Sequence, residues 1–339
     1  MLSFKQLMIG DPMLTRRQFV QITALGLGTG FNSLHAQHLK LENAKIIVGF
    51  APGGTADIVA RRVSEKLNGN YAHNVVCENK TGAGGQIAVH FVKSAIADGS
   101  TILLTPMSML GIYPHTYKKL PYDPMLDIVP VSGAAKFDYG LAIGPLVPET
   151  VKNIADFLLW CKAHPKLANF GSPASGSSPH FIGHLIGKSS DVDLRHVAYR
   201  GTQPAILELI SGQIAAVVGP TGEFTQYTKS GKCRLLGTSD GQRNPFTPNI
   251  PTMKEQGFKD FNFSEWYGFF LPAGSSKETI QKLNTQIQSV LNNQEFVNAL
   301  AVSYLTPYPT TPNELGQQLK SDSAKWQKIV AEIGFTPED

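Results

Sequence analysis

Residues 46–57 read Ile46-Ile47-Val48-Gly49-Phe50-Ala51-Pro52-Gly53-Gly54-Thr55-Ala56-Asp57. A β-branched run ends at a loop rich in Gly and Pro, and Val59, Val63 and Leu67 then share one helical row. The pattern predicts a strand, a tight loop and a helix N-terminus. The unpaired N–H groups and the helix dipole at such a junction favour an anion or a carboxylate, and Gly53 and Gly54 allow it to approach closely. A loop that merely turns the chain between two packed elements explains the same residues.

Length and composition describe an ordinary globular chain. The 339 residues suggest about two domains, and 42 % apolar residues with 17 % charged residues are enough for a sizeable core. The net charge of +4 argues against nucleic acid or an anionic membrane as the main partner. Neither G-x-G-x-x-G nor a P-loop Lys-Ser/Thr pair follows the first strand, which disfavours dinucleotides and triphosphates. We therefore expect a small-molecule partner, no nucleic acid and no cofactor.

The N-terminus resembles a targeting segment. The residues Thr15-Arg16-Arg17-Gln18-Phe19-Val20 are close to the twin-arginine export pattern, and a weakly apolar stretch and Leu34-His35-Ala36 follow. An amphipathic helix is the alternative, but Gly26, Gly28 and Gly30 suit a helix poorly. No later run reaches the roughly 18–20 apolar residues of a membrane span. The sequence thus predicts an export signal at residues 1–36 and a soluble periplasmic protein that begins near Gln37.

Cysteine and histidine give no strong site. Cys77, Cys161 and Cys233 are an odd number, so we expect buried thiols, with a Cys161–Cys233 bridge left open. His180 and His184 are the nearest approach to a metal motif. They lack the Glu between them that the metalloprotease pattern has, so we predict no metal site.

The first part of the chain alternates strands and helices. Strand-like residues 75–77 and 101–105 flank a helix at 87–95, which predicts βαβ units and a parallel sheet. Ligands of such sheets bind outside the carboxyl ends of the strands. The loops at 52–57, 81–85 and 105–108 should therefore converge at one site.

A second alternation follows a long connection at 113–131. The Ser-rich loop 171–178 precedes Pro179 at the start of a helix, with Ser178 as its expected N-cap. Its hydroxyls and N–H groups form a second anion-friendly cradle, unless the loop is a flexible linker. Further strands are predicted at 139–143, 194–199, 215–218, 234–238 and 261–271, and helices at 153–164, 205–210, 276–292, 294–302 and 312–332.

No catalytic arrangement stands out, because the cleft loops carry mainly Gly, Ser, Thr and backbone amides, which bind rather than transfer protons. Asp57 is either a base or, more in keeping with its place, a first-turn cap. Arg200 can pair with a ligand carboxylate or lie on a solvated rim. Two α/β lobes without chemistry between them suggest a clamshell that closes on a small molecule.

The sequence resembles the substrate-binding receptors of tripartite tricarboxylate transporters, the Bug family, from about residue 45 to residue 335. The residues that carry the resemblance lie at 48–57, 76–85, 118–124, 199–201, 211–214 and 266–268. The resemblance implies an α/β, periplasmic binding protein-like (type II) clamshell of mostly parallel sheets flanked by helices. Lobe 1 would comprise 37–135 and 262–339, and lobe 2 would comprise 136–261. Members bind carboxylates without transforming them, so we expect a receptor and not an enzyme.

By this resemblance the Gly-rich loops of lobe 1 hold one ligand carboxylate, and loops 171–178 and 200–202 of lobe 2 meet the other end. The candidate ligand-binding residues are Phe50, Pro52, Gly53, Gly54, Thr55, Asp57, Thr81, Gly82, Gly84, Thr105, Ser108, Ser175, Ser177, Ser178, Arg200 and Gly201.

Departures from the family pattern bear on the ligand. The Gly-Thr-Asn-Gly-like segment after Leu104 is replaced by Thr105-Pro106-Met107-Ser108-Met109, and Ala215 and Gly219-Pro220-Thr221-Gly222 stand where acidic groups are usual. An acid suited to a ligand ammonium is missing there, which disfavours amino acids and favours a carboxylate with an apolar or aromatic body. The overall interpretation is a monomeric periplasmic receptor that serves membrane permease subunits. A sensor that presents its liganded form to a signalling partner is the alternative, and a periplasmic enzyme fits less well.

Overall fold

The computed structural model describes residues 40–259 and 261–338, so the predicted export signal lies outside the described residues. The strands are Leu41–Val48 (β1), Ala72–Asn79 (β2), Thr101–Pro106 (β3), Ile128–Ile143 (β4), Asn169–Ser172 (β5), Arg195–Ala198 (β6), Ala216–Pro220 (β7), Arg234–Thr238 (β8), Ser264–Pro272 (β9) and Thr306–Pro307 (β10). The helices are Thr55–Leu67 (α1), Gln86–Lys93 (α2), Ser108–Gly111 (α3), Tyr113–Thr116 (α4), Ile154–Ala163 (α5), Ser178–Lys188 (α6), Thr202–Ile210 (α7), Thr225–Lys229 (α8), Lys277–Leu291 (α9), Gln294–Ala301 (α10) and Pro312–Ile333 (α11). Short 3₁₀ turns lie at Ala83–Gly85 and Thr221–Phe224.

The strands form a mixed sheet in the order β2-β1-β3-β9-β4-β7-β5-β6, with β8 and β10 also paired to β4. The outer pairs β1–β2, β1–β3, β5–β6 and β5–β7 are parallel, as the strand–helix alternation predicts. The central pairs around β4 and β9 are antiparallel. The helices connect parallel strands, while the long β4 and β9 run against each other through the middle.

The strand β4 is longer than the sequence predicts, because residues 113–131 are not all connection. Two short helices occupy 108–116, and β4 begins at Ile128. Its first part pairs with β9 as far as Asp138, and from Tyr139 onward it pairs with β7. This change of partner lies next to the predicted lobe boundary, which itself stays a prediction.

The opening junction has the predicted structure. Strand β1 ends at Val48, Gly54 is the N-cap of α1 in an extended conformation, and Gly53 has a φ of +83° that favours glycine. Val59, Val63 and Leu67 are buried as the helical row predicts. The apolar face thus fixes α1 against the sheet and aims its N-terminus at the loops after the strands.

Two local features differ from or extend the sequence analysis. The N-cap of α6 is Ser177 rather than Ser178, because Ser178 already has helical geometry and Pro179 follows within the first turn. The three cysteines are free thiols, so the open possibility of a Cys161–Cys233 bridge is not realised. Within residues 40–259 and 261–338, no helix combines the length and apolar character that crossing a membrane requires.

Candidate ligand-binding site

A narrow cavity lies where the loops after the strands meet. Aromatic and other apolar side chains form most of its wall, among them Phe50, Met109, Tyr113, Phe137, Tyr139 and Tyr267. Its free volume is about 40 Å³, which is room for roughly three water molecules. A dicarboxylate-sized ligand therefore requires the surrounding loops to move apart.

The N-terminus of α1 faces this cavity and binds a carboxylate of the protein itself. Its N-cap, Gly54, has no side chain to cap the helix. Instead, Glu223 Oε1 accepts hydrogen bonds from Thr55 N at 3.1 Å and from Thr55 Oγ1 at 3.0 Å. Gln203 Nε2 donates to Glu223 Oε2 at 3.0 Å. A carboxylate from the distant turn 221–224 thus lies at the junction where the sequence predicts an anion cradle.

Glu223 is buried, with 8 % of its surface exposed. Burial raises the pKa of its carboxyl above the usual 4.5, although hydrogen bonds from Thr55 and Gln203 oppose the rise. The dipole of α1 also favours the charged form at this position. The carboxyl therefore lies in an environment that holds it tightly but excludes water.

A second buried carboxyl, Glu265, joins three elements beside the cavity. It accepts hydrogen bonds from Ser108 N at 2.8 Å, Ser108 Oγ at 2.7 Å and Ser178 Oγ at 2.6 Å, and from the Tyr139 hydroxyl. Burial again raises the pKa of Glu265, against the hydrogen bonds from Ser178, Tyr139 and Ser108. Strand β9 thus ties the starts of α3 and α6 to β4.

Tyr267 lies between the two carboxyl groups. Its hydroxyl is 2.8 Å from Thr55 Oγ1, and its ring stacks on Phe137 with 4.4 Å between centroids. Tyr139 lies edge-on to Phe137 at 5.5 Å. The site therefore combines an aromatic wall with acids that are anchored by neutral donors.

Five of the residues that the sequence proposes line the cavity: Phe50, Gly54, Ser108, Ser177 and Gly201. Thr55 and Ser178 lie beside it and bind the two glutamates.

Asp57 has the geometry of a cap rather than of a catalytic base. It accepts from Gly53 N at 2.9 Å, Arg61 Nε at 2.8 Å and Asn79 Nδ2 at 2.8 Å. Burial alone would raise its pKa, but these hydrogen bonds outweigh burial and leave it lowered. Asp57 thus holds the loop after β1 to the end of β2.

The loop at 81–85 packs beside the cavity without supplying its wall. A Cβ on Gly85 would lie 2.7 Å from Met109 Cε and 3.3 Å from Phe50 Cζ, which shows how closely the three predicted loops converge. Tyr113 OH donates to the carbonyl of Gly84 at 2.9 Å. Thr105 Oγ1 is buried and contacts Met109 Sδ at 2.9 Å. Thr81 and Gly82 are not part of the cavity wall.

The remaining proposed residues lie further out. Pro52 and Gly53 are exposed. Ser175 Oγ donates to Glu338 Oε1 at 2.6 Å. The side chain of Arg200 is exposed and outside the wall, but its carbonyl accepts from Ala51 N at 3.2 Å. Arg200 thus connects the two facing loops through its backbone.

Glu223 and Glu265 are the functional residues that the sequence analysis missed. Residues 219–222 carry no acid, as the sequence analysis states, but Glu223 follows Gly222 directly and lines the cavity. Glu265 lies within the strand predicted at 261–271 and directly precedes Trp266 and Tyr267. A strand position between aromatic residues indicates burial, and a buried Glu needs hydrogen-bond donors around its carboxyl group.

A pair of histidines supports the Ser-rich loop from behind. His180 and His196 stack with 3.8 Å between ring centroids. Gly176 N donates to His180 Nδ1 at 3.0 Å, and His196 Nε2 lies 2.8 Å from Ser172 Oγ. Burial lowers the pKa of His180 to about 3 and that of His196 to about 4. Nowhere in the described part of the chain do three or more His, Cys, Asp or Glu gather as a metal site would require.

Solved structures show the same architecture. The periplasmic binding protein BugD superposes with a TM-score of 0.82 at 26 % identity, covering 88 % of this chain and 99 % of that one. MatC from Rhodopseudomonas palustris, solved with bound malate, gives 0.79 at 25 % identity, covering 85 % of this chain and 99 % of that one. The fold is therefore the two-lobed fold of periplasmic solute-binding proteins.

The sequence places the chain within that class. Residues 59–335 match the family described as tripartite tricarboxylate transporter family receptor. A relative from Pseudomonas sp. strain P51, the UPF0065 protein in the tcbD-tcbE intergenic region, is 30 % identical over 321 residues, 94 % of each chain. The chain belongs to the tripartite tricarboxylate transporter receptor family.

Proposed function

We propose that this protein is a receptor that closes its cleft on a small carboxylate and presents it to the membrane subunits of a tripartite tricarboxylate transporter. The observation that carries the proposal is the N-terminus of α1. Its Thr55 N–H lies beside the cavity and already binds a carboxylate, that of Glu223, at 3.1 Å. A ligand carboxylate can use the same donor and the same helix dipole.

The family and its relatives support this ligand class. The family takes its name from a carboxylate transporter, and MatC was solved with malate. The cleft walls carry hydroxyls, backbone amides and aromatic rings, which bind and orient a ligand without transforming it. We therefore assign binding and delivery to this site, and no catalytic role.

Membership of this family of periplasmic receptors also supports a periplasmic location for the protein. We propose export by the twin-arginine pathway through residues 1–36 and a periplasmic, monomeric mature protein. Fractionation of cells that carry the wild type and the R16K/R17K variant tests the export route. Retention of the variant in the cytoplasm is expected, and equal export of both proteins would contradict it.

Isothermal titration calorimetry of the purified mature protein tests the ligand class. The panel comprises C4–C6 dicarboxylates, aromatic monocarboxylates, and an uncharged amide analogue of each. We expect saturable binding of at least one carboxylate and no binding of its amide. Binding of the amides as tight as that of the acids would contradict a carboxylate receptor.

A further inference from the structure

Glu223 is a carboxyl group of lobe 2 that occupies the carboxylate-binding N-terminus of lobe 1. Its Oε1 takes both donors of Thr55, and its Oε2 takes Gln203 Nε2. A Cβ on Gly54 would lie 3.3 Å from Glu223 Oε1, so the carboxylate packs closely against this glycine. A ligand carboxylate that binds Thr55 N–H must displace it. This inference rests on the proposed function.

Displacement leaves Glu223 Oε1 without a hydrogen-bond donor. Thr55 Oγ1 has a second partner in the Tyr267 hydroxyl at 2.8 Å, and Gln203 stays with Oε2. Glu223 Oε1, however, loses its donors in a place where only 8 % of the side chain is exposed to water. A buried acceptor without a partner costs binding free energy.

Charge adds to this cost. The residues of the cavity wall, all within the described chain, include no Lys, Arg or His side chain. The ligand carboxylate and Glu223 would therefore lie side by side without a protein cation to balance them, in a poorly solvated site where repulsion between charges is strong. A donor group on the ligand can meet both needs, because it supplies the hydrogen bond and separates the two charges.

We infer that Glu223 is a specificity-determining residue that selects carboxylates carrying a hydroxyl or ammonium group beside the carboxylate. The carboxylate of such a ligand takes Thr55 N–H, and its neighbouring O–H or N–H group donates to Glu223 Oε1. A plain apolar acid leaves Glu223 Oε1 without a donor. The aromatic wall still accepts an aromatic body, but the expectation that amino acids are disfavoured reverses.

Two matched ligand series test the inference by calorimetry. Succinate, malate and aspartate differ only in H, OH or NH₃⁺ beside one carboxylate, and phenylacetate, mandelate and phenylglycine repeat the change on an aromatic body. In the series that binds, we expect the wild type to prefer a donor-bearing member by roughly 10- to 100-fold over the plain acid. Glu223→Ala should bind the plain acid more tightly than the wild type does and reduce the preference to about threefold or less.

Glu223→Gln separates charge from shape, because it keeps the size of the side chain and one acceptor. It should retain much of the preference for the hydroxy acid but lose any advantage of the amino acid over the hydroxy acid. Glu295→Ala, at an exposed site paired with Lys66, is the matched control and should behave as the wild type. Melting curves confirm that each variant is folded.

The results distinguish the role of Glu223 in selection from the proposed function as a carboxylate receptor. A preference that Glu223→Ala leaves unchanged, or a wild type that binds plain and donor-bearing acids equally, would overturn the role of Glu223 alone. If none of the six acids binds either protein, the carboxylate-receptor proposal fails and the inference falls with it.

Discussion

Glu265 shows at the scale of one residue how this protein uses acids to join its parts. Its carboxyl is 1 % exposed, and it accepts from Ser108, Ser178 and Tyr139, which belong to three separate elements. Such a group stabilises the fold less by its charge than by satisfying donors that would otherwise be buried without a partner. The carboxyl of Glu265 therefore contributes both to the stability of the fold and to the shape of the cleft.

We predict that Glu265→Ala lowers the free energy of unfolding by roughly 3 kcal/mol, because each buried donor left unpaired costs about 1–3 kcal/mol. Glu265→Gln should lose less, since its amide oxygen still accepts. Urea unfolding monitored by tryptophan fluorescence measures both. Glu295→Ala serves as the exposed control, and a Glu265→Ala midpoint equal to that of the control would show that the network contributes nothing.

At the scale of elements, the sequence predicts what depends on local pattern. The C-terminal helices, predicted at 276–292, 294–302 and 312–332, lie at 277–291, 294–301 and 312–333. Their caps Ser276, Asn293 and Thr311 each accept from a backbone N–H, as their types suggest. Spacing and capping act over a few residues, so a single sequence reveals them.

The site is harder to predict because its contacts span the chain. Glu223 meets Thr55 across 168 positions, and Glu265 meets Ser108 across 157. No local pattern records such a pairing. The Gly-rich loop was recognisable because its anion cradle is a property of one junction, whereas the identity of the carboxylate on it depends on the whole fold.

The histidine pair behind the Ser-rich loop makes one element sensitive to pH. Ser172 Oγ donates to the carbonyl of Ala174, so His196 Nε2 is the donor to Ser172 Oγ. His180 Nδ1 accepts from Gly176 N and would lose that bond on protonation. The loop therefore needs His180 neutral to keep the bond from Gly176, and burial disfavours the charged form of both rings.

The pH dependence has a definite sign. The folded-state pKa values of His180 and His196, about 3 and about 4, lie below the ordinary 6.5, so the unfolded chain binds more protons between these values. The stability from this pair is complete above about pH 6.5 and is lost as pH falls toward 4. Two such groups give a slope of up to roughly 2.7 kcal/mol per pH unit.

Urea unfolding at several pH values between 7.5 and 4.5 checks this prediction against the variant H180N/H196Q, whose amides mimic the acceptor and the donor. The variant should lose less stability than the wild type on acidification. The exposed His73→Gln is the control. If the free energy of unfolding changed with pH in the same way in the wild type and in the double variant, the histidine pair would not be the origin of the acid sensitivity.

At the scale of the whole molecule, two buried acids connect elements that lie far apart in the sequence and meet at the cavity. Glu223 links α7 to α1, and Glu265 links α3 to α6 and β4. The cavity has only about 40 Å³ of free volume, because side chains of the protein fill most of it. A ligand carboxylate must therefore bind the N-terminus of α1 more strongly than Glu223 does. This competition is the physical basis on which the protein would select its ligand.

The measurement that tests the central claim most directly is carboxylate binding to Thr55→Pro and Thr55→Val. Proline removes the N–H together with the hydroxyl, at a first helical position where it is tolerated, and Gly54, with φ −73° and ψ 166°, already has the conformation that a following proline requires. Valine removes the hydroxyl and keeps the N–H. Calorimetry with the best carboxylate of the panel should show that Thr55→Pro weakens binding by about tenfold or more while Thr55→Val stays close to wild type. Equal binding by both folded variants would mean that the carboxylate binds elsewhere and would contradict the account.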